Sequence, residues 1–306
     1  MNTKVEYSKP PPGSQVGTAK TGMNFEFEAH TVNAERRFGG LARLYGSVGA
    51  ARIQAAHLVV VGLGGVGSWA AEAAARSGIA RLTFVDFDHI AESNINRQIH
   101  ATDLTVGQAK VYAMRDRVMS INPACRVDCV EEFVDTENWP DLVPNHLGID
   151  RTLFAVIDAC DQASAKTTIA AWAAKNEIFS ITVGAAGGKR HAHLVDVDDV
   201  SAVTHDPLLA KLRYQLRKEH GAARRGKMNV ACVFSREPVS KPLTLSTESV
   251  LRESEEHGIA GSTPDSTQAG GGLNCHGYGS VVSVTSTFGM CAASWVFNKL
   301  AGGQLD

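Results

Sequence analysis

A glycine-rich turn between an apolar run and an alanine-rich stretch constrains the fold of this chain more than any other feature. The apolar run covers residues 58–61, and four glycines follow it, namely Gly62, Gly64, Gly65 and Gly67. The next residues, up to position 78, have a helical pattern, so the segment predicts a strand, a tight turn and a helix. Glycine lets the backbone come close to a phosphate, and amide groups at a helix N-terminus favour an anion. We therefore expect a nucleotide at this turn.

Apolar runs and segments of helical period alternate after this turn. The pattern predicts a helix that ends at Pro123, a buried strand before residue 158, and a further helix over residues 163–176. Such alternation predicts an α/β fold, with a Rossmann-like, mostly parallel sheet and flanking helices. The alternation weakens beyond about residue 184, where we expect a smaller C-terminal α+β extension.

The chain is expected to form one domain behind a disordered tail. Residues 1–30 are polar, contain three consecutive prolines and lack a hydrophobic period, as is typical of disorder. Residues 31–306 then form a single domain, in which residues 184–306 are a substrate-facing extension. Within that extension, residues 240–274 are rich in Ser, Thr, Glu and Gly and predict a mobile loop.

Composition excludes several classes of protein. A net charge of −2 argues against a chain that coats nucleic acid with its whole surface. The six cysteines form no CxxC pair, so a four-cysteine zinc site lacks its usual spacing. With no signal peptide at the N-terminus, a cytoplasmic protein is expected. Residues 278–297 carry no charge over 20 positions, but their Ser, Thr and Gly content favours a buried segment over a membrane span.

Charged side chains follow the predicted strands, where parallel sheets bind their ligands. Asp86 lies 19 residues after the last glycine of the turn, a place where a carboxylate commonly receives ribose hydroxyls. The glycine motif alone favours NAD or FAD. A dinucleotide enzyme has no need, however, for Arg97 and Lys110, which can neutralise a triphosphate, or for a magnesium-binding aspartate, Asp158 or Asp161. Together these residues indicate attack of a carboxylate on the α-phosphate of ATP.

Basic residues are concentrated in a predicted helix and the turn that follows it. The segment 207–227 contains a single acid, Glu219, against the following basic residues: Lys211, Arg213, Arg217, Lys218, Arg224, Arg225 and Lys227. In a nearly neutral chain this concentration can hold a polyanion such as a nucleic acid. The alternative is a solvated helix face, and the segment taken alone favours that alternative.

Two arginines near the N-terminus leave two interpretations open. The segment RRFGGLARLYG, residues 36–46, alternates arginine with apolar residues at helical spacing. One interpretation is a helix that packs on the sheet. The other is that Arg37 or Arg43 reaches a phosphate, in this chain or in a neighbouring subunit.

These motifs resemble a known superfamily. The adenylation domain of the ubiquitin-activating and sulfur-carrier-activating enzymes is similar in GLGGVGSWAAEAAARSG, VDFDHIAESNINRQ, VGQAK and DACDQ. Its branch of tRNA threonylcarbamoyladenosine dehydratases is similar in RFGGLARLYG, NRQIHA, SINPACRV, DPLLAKLR, CVFS and STFG. The resemblance covers about residues 35–300, and the longer stretch 240–274 departs from it.

The resemblance implies an ATP-dependent ligase that adenylates the threonine carboxylate of threonylcarbamoyladenosine in tRNA and then closes a ring. Its catalytic residues are Arg97, Lys110 and Asp161, with Asp161 holding Mg²⁺. Nucleotide contacts are implied for Gly62, Gly64, Gly65, Gly67, Asp86, Asp88, Asn94, Asn96, Arg97, Gln98, Lys110, Asp158 and Asp161. A homodimer in which Arg37 or Arg43 crosses to the partner, a monovalent cation and sulfur-relay proteins complete the expected cofactors and partners. The basic segment then gains weight as the tRNA contact.

Two further functions stay open on the sequence. One is an adenylyltransferase that activates the C-terminal carboxylate of a sulfur-carrier protein, and the other is a nucleotide-binding scaffold in a sulfur relay. Ring closure needs no enzyme nucleophile, because the attacking group is tethered to the acyl group. Cys232 and Cys275 fall in or near the family motifs and are kept as candidates for a role at the site.

Overall fold

Seven strands form one sheet through the centre of the computed structural model, which describes residues 33–143, 150–240 and 278–302. The strands are β1 His57–Val61, β2 Arg81–Val85, β3 Arg126–Val130, β4 Phe154–Asp158, β5 Phe179–Val183, β6 Val195–Asp199 and β7 Ala231–Ser235. Their order is β3-β2-β1-β4-β5-β7-β6, and every pairing is parallel except that of β6 with β7. The predicted mostly parallel α/β fold is confirmed.

Helices connect the strands. They are α1 Ala34–Phe38, α2 Gly40–Ala55, α3 Gly67–Arg76, α4 Lys110–Ile121, α5 Ala163–Asn176, α6 Pro207–Glu219 and α7 Val282–Gly302. The helix predicted over residues 163–176 is confirmed at both ends. Single 3₁₀ turns lie at residues 92–94, 151–153, 192–194 and 200–202.

β1 and its two neighbours define the edge of the sheet where a ligand is expected, called the ligand edge below. Leu58, Val59 and Val60 are fully buried, as expected for a central parallel strand covered on both faces. Val61, the last residue of β1, pairs with Val85 of β2 and Asp158 of β4. The carboxyl ends of these strands therefore meet at one edge, and the segments that follow them lie side by side.

The uncharged segment near the C-terminus forms α7, which is part of the core. Phe288, Val296 and Leu300 are fully buried, and the helix packs mainly against α3 and α2. A Cβ atom on Gly289 would lie 2.4 Å from the carbonyl oxygen of Val66, so glycine permits this close approach to the start of α3. No helix in the described part of the chain is long and apolar enough to cross a membrane.

The N-terminal helix packs differently from the expectation. Its second half lies mainly against α7, where a Cβ atom on Gly49 would sit 3.2 Å from Ala301, rather than on the sheet. Gly46 breaks α2 with a φ of 72°, and the residues around this break expose Leu44 and Val48. Three parts of the sequence analysis lie outside the described residues: the predicted tail, Cys275, and positions 241–274 of the predicted loop.

Candidate active site

A pocket of about 660 Å³ lies at the carboxyl edge of the sheet. Its walls come from the turn after β1 and from the segments after β2, β3, β4 and β5, together with residues just before α7. The implied nucleotide ligands that line it are Gly62, Gly64, Gly65, Asp86, Asp88, Asn94, Asn96, Arg97, Gln98, Lys110 and Asp161. The structure therefore brings most of the predicted site together.

The glycine turn presents backbone amides to the pocket. Gly62 has a φ of 83°, which strongly favours glycine, and the backbone N–H of Leu63 donates to the Asp86 carboxylate at 2.5 Å. Among the described residues, no hydrogen bond to protein occupies the N–H groups of Gly64, Gly65 or Val66, which precede α3. Gly67 does not line the pocket. Gly67 instead packs against the backbone of the turn, where a Cβ atom would lie 1.8 Å from the Gly62 carbonyl oxygen.

Lys110 and two aspartates form a charged wall. The buried Lys110 ammonium lies 2.7 Å from the exposed carboxylate of Asp88 and 3.9 Å from that of Asp86. Burial raises the pKa of Asp86, while Lys110 and the N–H groups of Leu63 and Asp88 oppose that shift. Because Asp88 faces solvent, the Lys110 ammonium can exchange this partner for a phosphate oxygen at little cost.

The loop before α4 contributes a second cation, Arg97, and the side-chain amides of Asn96 and Gln98. Arg97 donates to the carbonyl oxygen of Ser93 at 2.8 Å and to the Asn96 side chain at 3.0 Å. The Trp69 indole N–H donates to the Arg97 carbonyl oxygen at 2.9 Å, which fixes the arginine backbone beside the glycine turn. Gln98 is buried on the pocket wall, and its side-chain oxygen has no partner among the described residues. An ordered water is the expected donor to it, because the oxygen itself is buried.

The two aspartates at the end of β4 have different surroundings. Asp161 lines the pocket. Asp158 is fully buried below it, where its carboxylate accepts hydrogen bonds from Lys166 at 3.1 Å and Thr182 at 2.6 Å. The Cys160 thiol also donates to Asp158, at 2.9 Å. The sequence had suggested that Asp158 contacts the nucleotide or a metal directly. The structure does not support this, because the Asp158 side chain is buried and its oxygens already accept hydrogen bonds from Lys166, Thr182 and Cys160.

Lys166→Met is expected to lower the free energy of unfolding by about 3 to 5 kcal/mol, because it leaves the Asp158 carboxylate buried without its counter-ion. Urea denaturation of the purified variant measures this effect. As a control, Lys166→Met combined with Asp158→Asn removes both charges and is expected to recover part of the loss. Equal stability of the single variant and the wild type would contradict a structural role for this pair.

An aromatic pair on the pocket wall escaped the sequence analysis. Phe87 and Phe133 follow β2 and β3, their ring centroids are 4.8 Å apart, and both are about half exposed. They offer an apolar surface to a flat ring such as a base. The available signal was the position of Phe87 directly after Asp86, at the end of a strand.

Two arginines of the basic segment 207–227 bind backbone carbonyls, and the other basic residues are exposed. Arg213 donates to the carbonyl oxygens of Val200 and Val203, and Arg217 donates to that of Ala223. The basic residues that are exposed are Lys211, Lys218, Arg224, Arg225 and Lys227. The turn that contains the last three precedes β7, which is parallel to β5, so it lies at the amino edge of the sheet. It is separated from the pocket by about the length of the strand, roughly 17 Å.

The two N-terminal arginines do not line the pocket of their own chain. Arg37 donates to the carbonyl oxygen of Ile121, at the end of α4, at 2.5 Å. Arg43 is exposed on α2 and makes no hydrogen bond or ion pair with the rest of the described chain. Both arginines are exposed, but Arg37 already has a partner in its own chain, so Arg43 is the stronger candidate for contact with another subunit.

The one candidate cysteine that the structure describes is Cys232, and it is buried in β7. It has no exposed surface, and burial raises the pKa of its thiol well above the usual range. Cys160 lines the pocket, but burial and Asp158 also raise the pKa of its thiol. A reactive cysteine requires a thiolate, so neither is suited to act as a nucleophile.

Comparison with known proteins identifies the family of this chain. The ThiF family model matches residues 39–304. A tRNA threonylcarbamoyladenosine dehydratase of Haemophilus influenzae is 38% identical over 281 residues, covering 91% of this chain and 98% of that protein. The Escherichia coli tRNA N6-threonylcarbamoyladenosine dehydratase, solved in complex with ATP, has a TM-score of 0.70 and 36% identity and covers 88% of this chain and 95% of that one. A molybdopterin-synthase adenylyltransferase of Salmonella typhimurium is 35% identical over 114 residues, covering 37% of this chain and 43% of that protein.

Proposed function

The chain belongs to the ThiF family, and from this premise we propose that it is an ATP-dependent tRNA threonylcarbamoyladenosine dehydratase. The observation that carries the proposal is the extent of the similarity. The proteins of this name from Haemophilus influenzae and Escherichia coli match the chain over 87% or more of both lengths, whereas the adenylyltransferase of Salmonella typhimurium matches 37% of it. The pocket contributes the cations and the carboxylate that the reaction uses.

The first step joins the threonine carboxylate of the modified adenosine to ATP. A carboxylate oxygen attacks the α-phosphorus, the bond to the bridging oxygen of the β-phosphate breaks, and pyrophosphate leaves. Negative charge grows on the phosphoryl oxygens, and Arg97 and Lys110 lie on the pocket wall where they can neutralise it. A single contact of this kind is typically worth about 3 kcal/mol in the transition state. The amides of the glycine turn hold the remaining phosphates.

Mg²⁺ is proposed as the metal cofactor, with Asp161 as its protein ligand. The described residues contain no group of three or more histidine, cysteine or acidic side chains that could hold a metal. This fits Mg²⁺, which usually binds through one or two carboxylates together with substrate phosphates and waters. When bound, the ion neutralises charge on the phosphate oxygens.

The second step closes a ring on the activated carboxyl group. The carbamoyl group of the same substituent attacks the acyl carbon and releases a proton to solvent, the bond from that carbon to the phosphate-bound oxygen breaks, and AMP leaves with that oxygen. The base thereby loses the elements of one water. The attacking group is tethered to the acyl group, so the step gains from proximity and needs no enzyme nucleophile. The buried thiols of Cys160 and Cys232 are consistent with this route.

An ATP–pyrophosphate exchange assay tests the proposal against its alternatives. Exchange is expected with tRNA that carries threonylcarbamoyladenosine and not with unmodified tRNA. Exchange that depends on a sulfur-carrier protein instead would establish the adenylyltransferase, and would make a sulfur-relay protein the partner. Absence of exchange with either substrate would favour the nucleotide-binding scaffold.

A homodimer that completes each pocket is part of the proposal. Arg43 is exposed near the break in α2, beside the exposed apolar side chains of Leu44 and Val48. An apolar patch next to a cation suits a self-complementary interface that carries Arg43 toward the phosphates of the partner subunit. Arg37 is already bound to α4 and is not proposed for this role.

The exposed basic residues are proposed to bind the tRNA stem. The 13 residues of α6 begin beside the pocket wall at Gly184 and extend for about 20 Å toward the basic turn. A stem that leaves the pocket along α6 can therefore reach Lys211, Lys218 and then the turn. Arg213 is assigned to the structure of this region instead, because its guanidinium binds backbone carbonyls.

Arg224→Glu combined with Arg225→Glu is expected to weaken tRNA binding by at least about 10-fold and to reduce the slope of log affinity against log salt by about two. Affinity for ATP should not change, because the turn is remote from the pocket. Filter binding of tRNA at several salt concentrations measures both the tRNA affinity and this slope. Arg115→Glu combined with Arg126→Glu, in α4 and β3 toward the other side of the sheet, matches the change in net charge and serves as the control. Unchanged tRNA affinity would remove the turn from the interface.

A further inference from the structure

Tyr214 is exposed on the outer face of α6 and takes no part in the core. Its side chain is 64% exposed, more than that of any other tyrosine, tryptophan or phenylalanine in the described ranges. The buried face of the helix is formed instead by the leucines at positions 208, 209, 212 and 216. Packing of α6 therefore does not require an aromatic residue at position 214.

Two lysines flank Tyr214 on the same face of the helix. Lys211 lies three residues before it and Lys218 four residues after it, and residues at these spacings are neighbours on a helix surface. Both lysines are exposed. Proteins hold unpaired nucleotides with this combination, because the ring stacks on a base while the cations neutralise the phosphates.

A cleft of about 490 Å³ lies at the start of α6. His205, just before the helix, lines it together with Ala210 and Arg213 from the first two turns. Ala210 is one turn before Tyr214, so the cleft and the tyrosine lie along one side of the helix. The Arg213 guanidinium is held by its hydrogen bonds to the carbonyl oxygens of Val200 and Val203, at 3.0 and 3.1 Å. Imidazole and guanidinium groups both offer planes on which a base can stack.

The cleft and the nucleotide pocket share a wall. Asp206 lines the cleft, and Gly184 lines the pocket. The two residues are in contact, because a Cβ atom on Gly184 would lie 2.1 Å from the Asp206 carboxylate. This carboxylate also accepts the N–H of Ala185 at 2.8 Å, which holds the loop after β5 against the start of α6. A strand of nucleotides that enters the pocket can therefore continue into the cleft and then to Tyr214, about 10 Å beyond the start of α6.

The proposed reaction itself requires unpaired nucleotides near the pocket. An enzyme that acts on a base either takes that base out of the stack or binds it in a single strand. Proteins that recognise unpaired RNA stack its bases on aromatic rings or guanidinium planes. Tyr214 and Arg213 supply both kinds of group. A protein partner recognised by its acidic groups would use the lysines and not the ring, so the combination favours RNA.

We propose that the surface from the cleft to Tyr214, here called the α6 platform, binds unpaired nucleotides next to the reacting adenosine, and that the Tyr214 ring stacks on one of their bases. Lys211 and Lys218 meet the phosphates on either side of that base. The inference rests on the proposed function, since it requires RNA as the substrate. It gives Tyr214 a role distinct from that of the basic turn, whose cations contact phosphates whether or not the RNA is paired.

Tyr214→Ala is expected to weaken the binding of tRNA that carries threonylcarbamoyladenosine by about 10-fold, because one stacked base is lost. Since tyrosine is uncharged, the slope of log affinity against log salt should not change. Tyr214→Phe keeps the ring and should bind as the wild type does. The matched control is Tyr112→Ala, which removes a 41% exposed tyrosine from α4, beside β3 at one edge of the sheet, and should also leave binding unchanged. Filter binding without ATP measures all four proteins.

A fully paired RNA duplex is the second probe, and Tyr214→Ala should not change its affinity, because stacked and paired bases do not reach the ring. The proposal is overturned by unchanged tRNA affinity in Tyr214→Ala, by an equal loss in Tyr214→Phe, or by an equal loss with the duplex. It is also overturned if Tyr214→Ala impairs only the exchange that depends on a sulfur-carrier protein, which would make the α6 platform a protein interface. A wild type that binds the modified tRNA but catalyses no ATP–pyrophosphate exchange would instead refute the proposed activity, so the two failures are distinguishable.

Discussion

Replacing Gly67 with alanine is expected to destroy the ATP site. The new Cβ atom would lie 1.8 Å from the carbonyl oxygen of Gly62, and no side-chain rotation can relieve a clash between two backbone segments. Either the turn or the start of α3 must move. Overpacking of this kind costs about 3 kcal/mol of unfolding free energy, and we expect ATP affinity to fall by at least about 100-fold because the amides that face the phosphates move with the turn. Isothermal titration with ATP and urea denaturation measure the two effects.

Gly64→Ala is the matched control for this variant. Gly64 lies in the same turn, but a Cβ atom there would meet no atom of the described chain within 4 Å, and its φ is not positive. Its stability should therefore equal that of the wild type or exceed it by up to about 1 kcal/mol. Any loss of ATP affinity in Gly64→Ala measures how closely the phosphates approach the turn. If Gly67→Ala matched Gly64→Ala in stability, the close packing of the turn would be refuted.

The sheet and the turn could be predicted because their signals are local. A fully buried parallel strand such as β1 must be an uninterrupted apolar run, and a helix that starts against another backbone segment must begin with glycine. The antiparallel edge strand β6 could not be placed in the same way. The alternation of valine and aspartate over residues 195–198 indicates a strand, but β6 pairs with residues 32 to 40 positions further along the chain, and nothing in the alternation shows that partner or the antiparallel direction.

The two aspartates after β4 show the limit of sequence reasoning at the site. Asp158 ends β4 at the ligand edge, Asp161 follows three residues later, and both bear the charge that Mg²⁺ needs. Their difference arises from Lys166, eight residues further along, whose ammonium reaches back from α5 to Asp158. The spacing of a lysine after an aspartate does not reveal whether the two side chains meet inside the protein.

Asp161→Asn and Arg43→Ala are each expected to lower kcat by at least about 100-fold. Asparagine keeps the shape of the Asp161 side chain but loses the charge that would hold Mg²⁺ beside the phosphates. Loss of an arginine that neutralises a transferring phosphoryl group costs as much or more. Both variants should fold, because Asp161 and Arg43 make no hydrogen bond or ion pair within the described chain. Arg37→Ala is the control and should retain most of the activity, because Arg37 binds α4 of its own chain.

Mixing the two inactive variants distinguishes an arginine supplied by the partner subunit from one supplied by the same chain. If Arg43 crosses the dimer, a mixed dimer contains one pocket with both an intact Asp161 and an intact Arg43, and one pocket with neither. Random pairing of equal amounts makes half of the dimers mixed, so about a quarter of the wild-type activity should return. If Arg43 serves its own pocket, every pocket carries one defect and no activity returns. Co-expression of differently tagged variants, followed by sequential purification on both tags, isolates the mixed dimer and tests the proposed homodimer in the same experiment. Recovery of about half of the wild-type activity in that species requires that one pocket be built from two chains.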